Sequence, residues 1–261
     1  MDHAIVGLTA FLASALTLYS GFGLGTVLLP AFALFFPVPT AVAATGIVHL
    51  LNNIFKGGLV GKAADWRTVL RFGVPAIPAA VIGAWLLARL GQAGPLYVWS
   101  AFGHRFSATG ARAAIGALMI LFALLEMQPW FQRLAAPPRL MPLGGLITGL
   151  LGGFSGQQGA LRSMFLLKAG LAPPRYIATG VMIAILIDLS RLPTYVMNFS
   201  ATEAVSGDDF RLVATGTLCA FAGAWTGARY ARKATIATVR IIVAGLMLAI
   251  GGLLASGILG A

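Results

Sequence analysis

Residues 149–195 read GLLGGFSGQQGALRSMFLLKAGLAPPRYIATGVMIAILIDLSRLPTY. An apolar run is interrupted by Gly152-Gly153-Phe154-Ser155-Gly156-Gln157-Gln158-Gly159 and resumes carrying Arg162. It stops at Pro173-Pro174, and a second apolar run follows that holds Asp188 and Arg191. Amides and ions are costly at membrane depth, so each calls for a role. A helix opened there frees backbone N–H groups, which are tolerated where they line a cavity or meet a partner. This stretch reads as half of an anion site.

Composition sets the class. The chain has 261 residues, 59% of them hydrophobic and 10% charged, with a mean hydropathy of +0.90. Apolar stretches recur from end to end, which predicts an all-α, polytopic helical membrane protein. The formal charge of +11 does not point to nucleic acid, because the Lys and Arg residues fall mostly between the apolar stretches, as inside-facing loops require. The single Cys219 lies in an apolar run and offers neither a disulfide framework nor a thiolate metal cluster. No metal or cofactor is expected. The start MDHAIVG lacks a basic leader, so the first apolar run is read as retained.

The pattern repeats. Residues 4–36 are apolar but cut by Gly21-Phe22-Gly23-Leu24-Gly25, and they stop at Pro37 and Pro39. As one helix they would reach about 50 Å, against a bilayer core of about 30 Å, so a long broken span or a re-entrant hairpin is expected. Helices follow over 40–60, 72–90 and 113–125. A long interfacial connection over 91–112 carries Trp99, His104 and Arg105, and a Pro-rich linker covers 129–142. The second half repeats the plan with a broken element over 143–167 and helices over 175–198, 210–230 and 237–258. Ala44-Thr45-Gly46 matches Ala178-Thr179-Gly180, while Pro39 falls on Pro173 and Gly25 on Gly159 at the same offset. AVIGAWLLARL (80–90) matches AFAGAWTGARY (220–230) at six of eleven positions, among them Trp85/Trp225 and Arg89/Arg229. We therefore expect two homologous, inverted repeats over 1–128 and 143–261, about eight helical elements in all. Paired Gly-interrupted segments of this kind point to a transporter binding site.

Charge argues for re-entrant elements. On that topology the inside receives Lys62, Arg67, Arg71, Arg133, Arg139, Lys168, Arg175, Arg229, Arg232, Lys233 and Arg240. The outside receives Arg89, Arg105, Arg112 and Arg211, with the acidic Glu203, Asp208 and Asp209. Full spans would divide the cations more evenly, so the positive-inside rule favours the re-entrant form.

Polar stripes follow the breaks. His49, Asn52, Asn53 and Lys56 fall within an arc of roughly 100° on one helix. One reading is a water-filled path; the other is a helix end with Lys56 snorkelling and amides joining helices. Asp188, Arg191 and Tyr195 share a face of the corresponding helix. There Asp188 is either the structural partner of Arg191 or Lys56, or a proton relay with His49.

The substrate-binding candidates are Gly21, Gly23, Gly25, Thr26, Asn52, Lys56, Ser155, Gly156, Gln157, Gln158, Gly159 and Arg162. Small residues, side-chain donors and a helix N-terminus suit an oxoanion, which Arg162 would pair bidentately. His49, Asp188 and Arg191 are candidates for proton coupling or charge tuning. A rival reading takes Gly153-Phe154-Ser155-Gly156 as the nucleophile turn of a rhomboid-type intramembrane protease. No His follows Ser155, whereas rhomboids place their His on a later helix. A membrane scaffold without transport is the other alternative.

At these residues the chain resembles the TauE/SafE family of sulfite exporters (the TSUP transporters) over nearly its whole length. The resemblance rests on GFGLGTVLLP and GGFSGQQGALRS, and on the helices ATGIVHLLNNIFK and ATGVMIAILIDLSR. The family's signature runs closer to GxGGG, an apolar run and Pro. The first half keeps Pro30, whereas in the second Gln157, Gln158 and Arg162 replace small apolar residues and Met164 takes the proline's place. The resemblance implies a non-enzymatic carrier of small sulfur-containing or organic anions, such as sulfite or sulfoacetate, in the bacterial inner membrane. Expected partners are the small anion and the lipid bilayer, with protons as a candidate coupling ion and a homo-oligomer as a candidate assembly.

Overall fold

A computed structural model describes residues 1–20, 23–101, 103–199, 207–230 and 236–259. Eleven α-helices run through them. The first half holds α1 (Asp2–Ser20), α2 (Leu24–Ala33), α3 (Val38–Val60), α4 (Trp66–Gln92) and α5 (Gly110–Met127). The short α6 (Pro129–Gln132) lies in the linker. The second half holds α7 (Met141–Ser155), α8 (Gly159–Leu166), α9 (Pro173–Phe199), α10 (Gly207–Tyr230) and α11 (Ile236–Ser256). The count exceeds the eight expected because each broken element is two helices and the linker contributes one.

Local chemistry sets several boundaries. Pro37 and Pro39 flank the start of α3, where a fixed φ suits the first turn. Asp65 caps α4 by accepting from the Thr68 backbone N–H at 3.0 Å. The α7 helix stops at Gly156, whose φ of +76° belongs to the left-handed region that glycine enters freely.

The 91–112 connection corrects the sequence reading. It is a β-hairpin of β1 (Pro95–Ala101) and β2 (His104–Thr109), antiparallel, with a register shift between Pro95 and Tyr97. The mixed apolar and polar letters LYVWSA and HRFSAT suit a two-sided ribbon, and Trp99 Nε1 ties it to the Ser256 carbonyl at 2.7 Å.

Both broken elements fold back on themselves. The Ala136 N–H donates to the Met164 carbonyl at 3.0 Å, and the Phe165 ring lies against Gly144. The end of α8 therefore returns to the side where α7 begins. Val6 of α1 and Phe32 of α2 likewise both reach Gly216 of α10. At about 1.5 Å per residue, α7 penetrates about 22 Å, well inside a bilayer core.

Small residues let the helices meet. Gly145, Gly149 and Gly153 of α7 lie directly on the Phe72, Ala76 and Ala80 carbonyls of α4, which fixes the two helices as parallel. Gly223 and Gly227 of α10 lie on the Phe11 and Ala15 carbonyls of α1, again in parallel. In contrast, α3 and α9 run antiparallel, with Gly46 against Arg191 and Gly57 against Met182 and Ile185. Gly116 of α5 and Gly251 of α11 make another antiparallel contact. The matched Trp–Arg pairs form the same cation–π contact in both halves, Arg89 over Trp85 at 5.2 Å and Arg229 over Trp225 at 4.8 Å.

Four stretches among the described residues are long and apolar enough to cross a membrane: Val38–Ala63, Trp66–Gln92, Gly110–Met127 and Pro173–Asn198. Arg175 pairs with Asp65 at 3.8 Å, so the loops carrying Lys62, Arg67 and Arg175 share a face with the linker. Glu203, Arg232 and Lys233 lie outside the described residues.

Candidate functional site

The two hairpin tips meet. A Cβ placed on Gly23 would stand 3.5 Å from the Gly159 backbone nitrogen, and one on Gly25 would stand 2.9 Å from the Gly156 carbonyl oxygen. Only glycine at position 25 leaves that carbonyl its room. Gly21 lies outside the described residues. The first turns of α2 and α8 converge here, and a helix start carries unpaired N–H groups and partial positive charge. The α2 start is closed on one side by Thr26 N–H donating to the Gly23 carbonyl at 3.1 Å.

Gln157 sits at the second tip, 3% exposed. Neither its Oε1 nor its Nε2 has a hydrogen-bond partner, although such a buried amide normally finds several. Thr45 Oγ1 of α3 is also buried without a partner, and its methyl group lies beside Gly25. Ser155 is already engaged: Oγ donates to the Leu151 carbonyl at 2.9 Å, and the Gln157 N–H approaches it at 3.4 Å.

Behind the tips lies a charged network. Asp188, fully buried, receives His49 Nδ1 on Oδ2 at 2.5 Å. Its Oδ1 accepts from Arg191 Nε at 2.9 Å and from Gln158 Nε2 at 3.1 Å, and Arg191 completes an ion pair at 2.8 Å. Gln158 Oε1 in turn accepts from Arg162 at 3.2 Å. Arg191 also donates to the Gly152 carbonyl at 3.1 Å, and the Tyr195 hydroxyl donates to the Gly153 carbonyl. Both carbonyls lie in the last turn of α7, where cations and donors are favourable. Arg191 and Tyr195 thus fasten α9 to the tip of the second hairpin.

On the other side, Asn52 and Lys56 of α3 are buried. With its amide oriented so that both ends are satisfied, Asn52 donates to the Ala220 carbonyl at 3.1 Å and accepts from Lys56 Nζ at 3.2 Å. Lys56 and Arg162 stand within electrostatic reach of one another. Asp188 therefore faces Arg191 directly and Arg162 through Gln158, and Lys56 stands beyond, near Arg162. The Arg191 guanidinium reaches the second tip, 3.2 Å from where a Gly156 Cβ would stand; Arg162, further along α8, reaches it through Gln158.

The structure thus gathers Gly23, Gly25, Thr26, Gly156, Gln157, Gln158 and Gly159 at one point. It joins His49, Asp188 and Arg191 in one network and sets Asn52, Lys56 and Arg162 beside it. Sequence reasoning passed over Thr45; Asn53, read in the polar stripe but not placed among the site candidates, donates to the His49 carbonyl at 2.9 Å. Thr45 stood inside the repeated Ala-Thr-Gly triplet, read there only as a marker of the repeat. Its match Thr179 does a different job, accepting from the Asp65 N–H at 2.9 Å.

Paired inward-folded hairpins with glycine tips, inside a bundle of membrane-crossing helices, define a polytopic membrane transporter. The chain belongs to the TauE/SafE sulfite exporter family, whose profile matches residues 6–254. It is accordingly a transporter of the anion-export type and not an enzyme, which sets aside the protease reading of Ser155. No curated protein matches the sequence.

Proposed function

We propose that this chain exports a small oxoanion, sulfite or a sulfonate, through a site between the two hairpin tips. The observation that carries this reading is the Gln157 amide, buried with both polar atoms unpartnered beside two converging helix starts. An oxoanion supplies acceptors for the Gln157 and Thr45 donors and for the free N–H groups near Gly25 and Gly159. Arg191 neutralises it from behind, while Arg162, Lys56 and Asn52 line the approach from the basic face. Ser155, Gly156 and Gln158 shape and hold the second tip, and Gly23 and Thr26 the first.

His49 and Asp188 hold one exchangeable proton between them, and this proton tunes the charge that Arg191 presents. Export of an anion is already favoured by an inside-negative potential, by about 2.3 kcal/mol per charge per 100 mV. A uniporter therefore suffices for that direction. The host membrane is the bacterial inner membrane, with the basic face toward the cytoplasm. Residues 1–128 and 143–261 are inverted copies of one unit; the antiparallel α3/α9 and α5/α11 contacts and the twin Trp–Arg pairs support this.

The test is flux from proteoliposomes loaded in turn with sulfite, sulfate, thiosulfate, sulfoacetate and simple carboxylates. Saturable flux of a sulfur oxoanion is expected. Absence of saturable flux for all of them overturns the reading and leaves a scaffold.

A further inference from the structure

A groove of about 420 Å³ opens on the outer surface of the bundle, at the basic ends of α3 and α4 and beside α9. It is separate from the hairpin tips. Its floor exists because Gly57 and Gly61 carry no side chains; the nearest atoms to a Cβ there are the Ile185 and Met182 side chains, at 3.4 Å and 3.5 Å. Ile54 forms one wall and is half exposed, although it is apolar and lies mid-helix. At the mouth stand Lys62 and Trp66, both exposed.

We infer that this groove holds an acyl chain of an anionic phospholipid, with the lipid phosphate on Lys62. The wall chemistry is hydrocarbon, and the groove faces outward from a membrane-spanning helix pair, so lipid is what it meets. Trp66 marks the depth of the headgroup layer, where indole is favoured. Lys62 sits two residues beyond the end of α3, on the face that the positive-inside rule assigns to the cytoplasm. Basic pockets between membrane helices on that side select anionic headgroups. The neighbouring Arg175 is engaged with Asp65, whereas no hydrogen bond or ion pair of Lys62 is found among the described residues. The groove follows the α3/α9 seam whose next turns carry His49 and Asp188, so an occupied groove wedges the pair that holds the charged network.

The experiment is native mass spectrometry of the delipidated full chain, mixed with equal amounts of phosphatidylglycerol and phosphatidylcholine of identical acyl chains. The wild type is expected to retain phosphatidylglycerol preferentially, on the order of fivefold, the weight of one lysine near an anionic surface. Lys62→Gln should reduce the preference to parity while lipid is still retained. Gly57→Leu should fill the floor and lower retention of both lipids. Ile54→Trp, at a half-exposed site that tolerates bulk, is the second groove variant should Gly57→Leu fail to fold. Equal retention by the wild type, an unchanged preference in Lys62→Gln, or undiminished retention in the groove variants would each overturn the assignment.

Discussion

Gln157→Leu separates a ligand-binding residue from a structural one by the sign of its effect on stability. The Gln157 amide is 3% exposed, and both its polar atoms are buried without partners. A buried unsatisfied group costs about 1–3 kcal/mol. Leucine has similar volume and no polar atoms, so the ligand-free variant should gain about 2 kcal/mol. At 2–4 °C per kcal/mol for a chain of this size, its Tm should rise by about 4–8 °C. The anion should respond in the opposite sense. A hydrogen bond to a charged group contributes about 1.5–3 kcal/mol, so affinity should fall about tenfold to a hundredfold. The assay is thermal unfolding in detergent over a sulfite and sulfoacetate titration, which reads both quantities from one series. Gln158→Leu is the control. Gln158 donates to Asp188 at 3.1 Å and accepts from Arg162 at 3.2 Å, so its loss should lower the Tm with or without anion. If Gln157→Leu loses stability and binds anion as the wild type does, Gln157 is part of the packing and the tip site is wrong.

Arg162→Ala should abolish oxoanion flux while leaving expression intact; normal flux would remove Arg162 from the path. Asp188→Asn should cost about 3–5 kcal/mol, the penalty for leaving a buried cation uncompensated, seen as a lowered Tm and poor recovery on size exclusion. Gly153→Leu drives its side chain into the Ala80 carbonyl and should prevent the α4–α7 contact, abolishing folded yield. Asp65→Ala should lose a helix cap of about 1 kcal/mol. Hydrogen bonds from the Thr68 side chain and backbone hold the Asp65 carboxyl below its ordinary value. A depressed value means that stability is present above about pH 4 and drains away as pH falls through the folded value. A thermal series from pH 7 to pH 3 should therefore show the variant and wild type converging at the acid end.

The sequence carried the backbone requirements further than it carried the side-chain partners, and the reason is physical. Glycine breaks, prolines at helix starts and a stripe at helical spacing are local properties, so 4–36 and 143–167 could be read as interrupted elements without knowing their neighbours. The β-hairpin was missed because one short ribbon of mixed letters carries a weak periodic signal beside apolar stretches twice its length. Partners of Asp188 were legible only in part. Arg191 lies three residues along the same helix and is within reach in any fold of that segment. His49 and Gln158 meet Asp188 only because α3 crosses α9 antiparallel at Gly46 and because the second tip turns at Gly156, a register that no letter encodes alone. Thr45 and Thr179 make the same point: the same triplet at matched positions faces a hairpin tip in one half and caps a loop in the other. What the halves have in common is what their backbones need for close approach, namely glycine against carbonyl and Trp beneath Arg. What differs is the polar set: at the repeat offset, Gln157 and Arg162 stand where the first half has Gly23 and Leu28. On the function proposed above, a site assembled from such a pair is lopsided in charge, with its guanidinium groups drawn from one half, and the Arg162→Ala flux measurement tests that asymmetry.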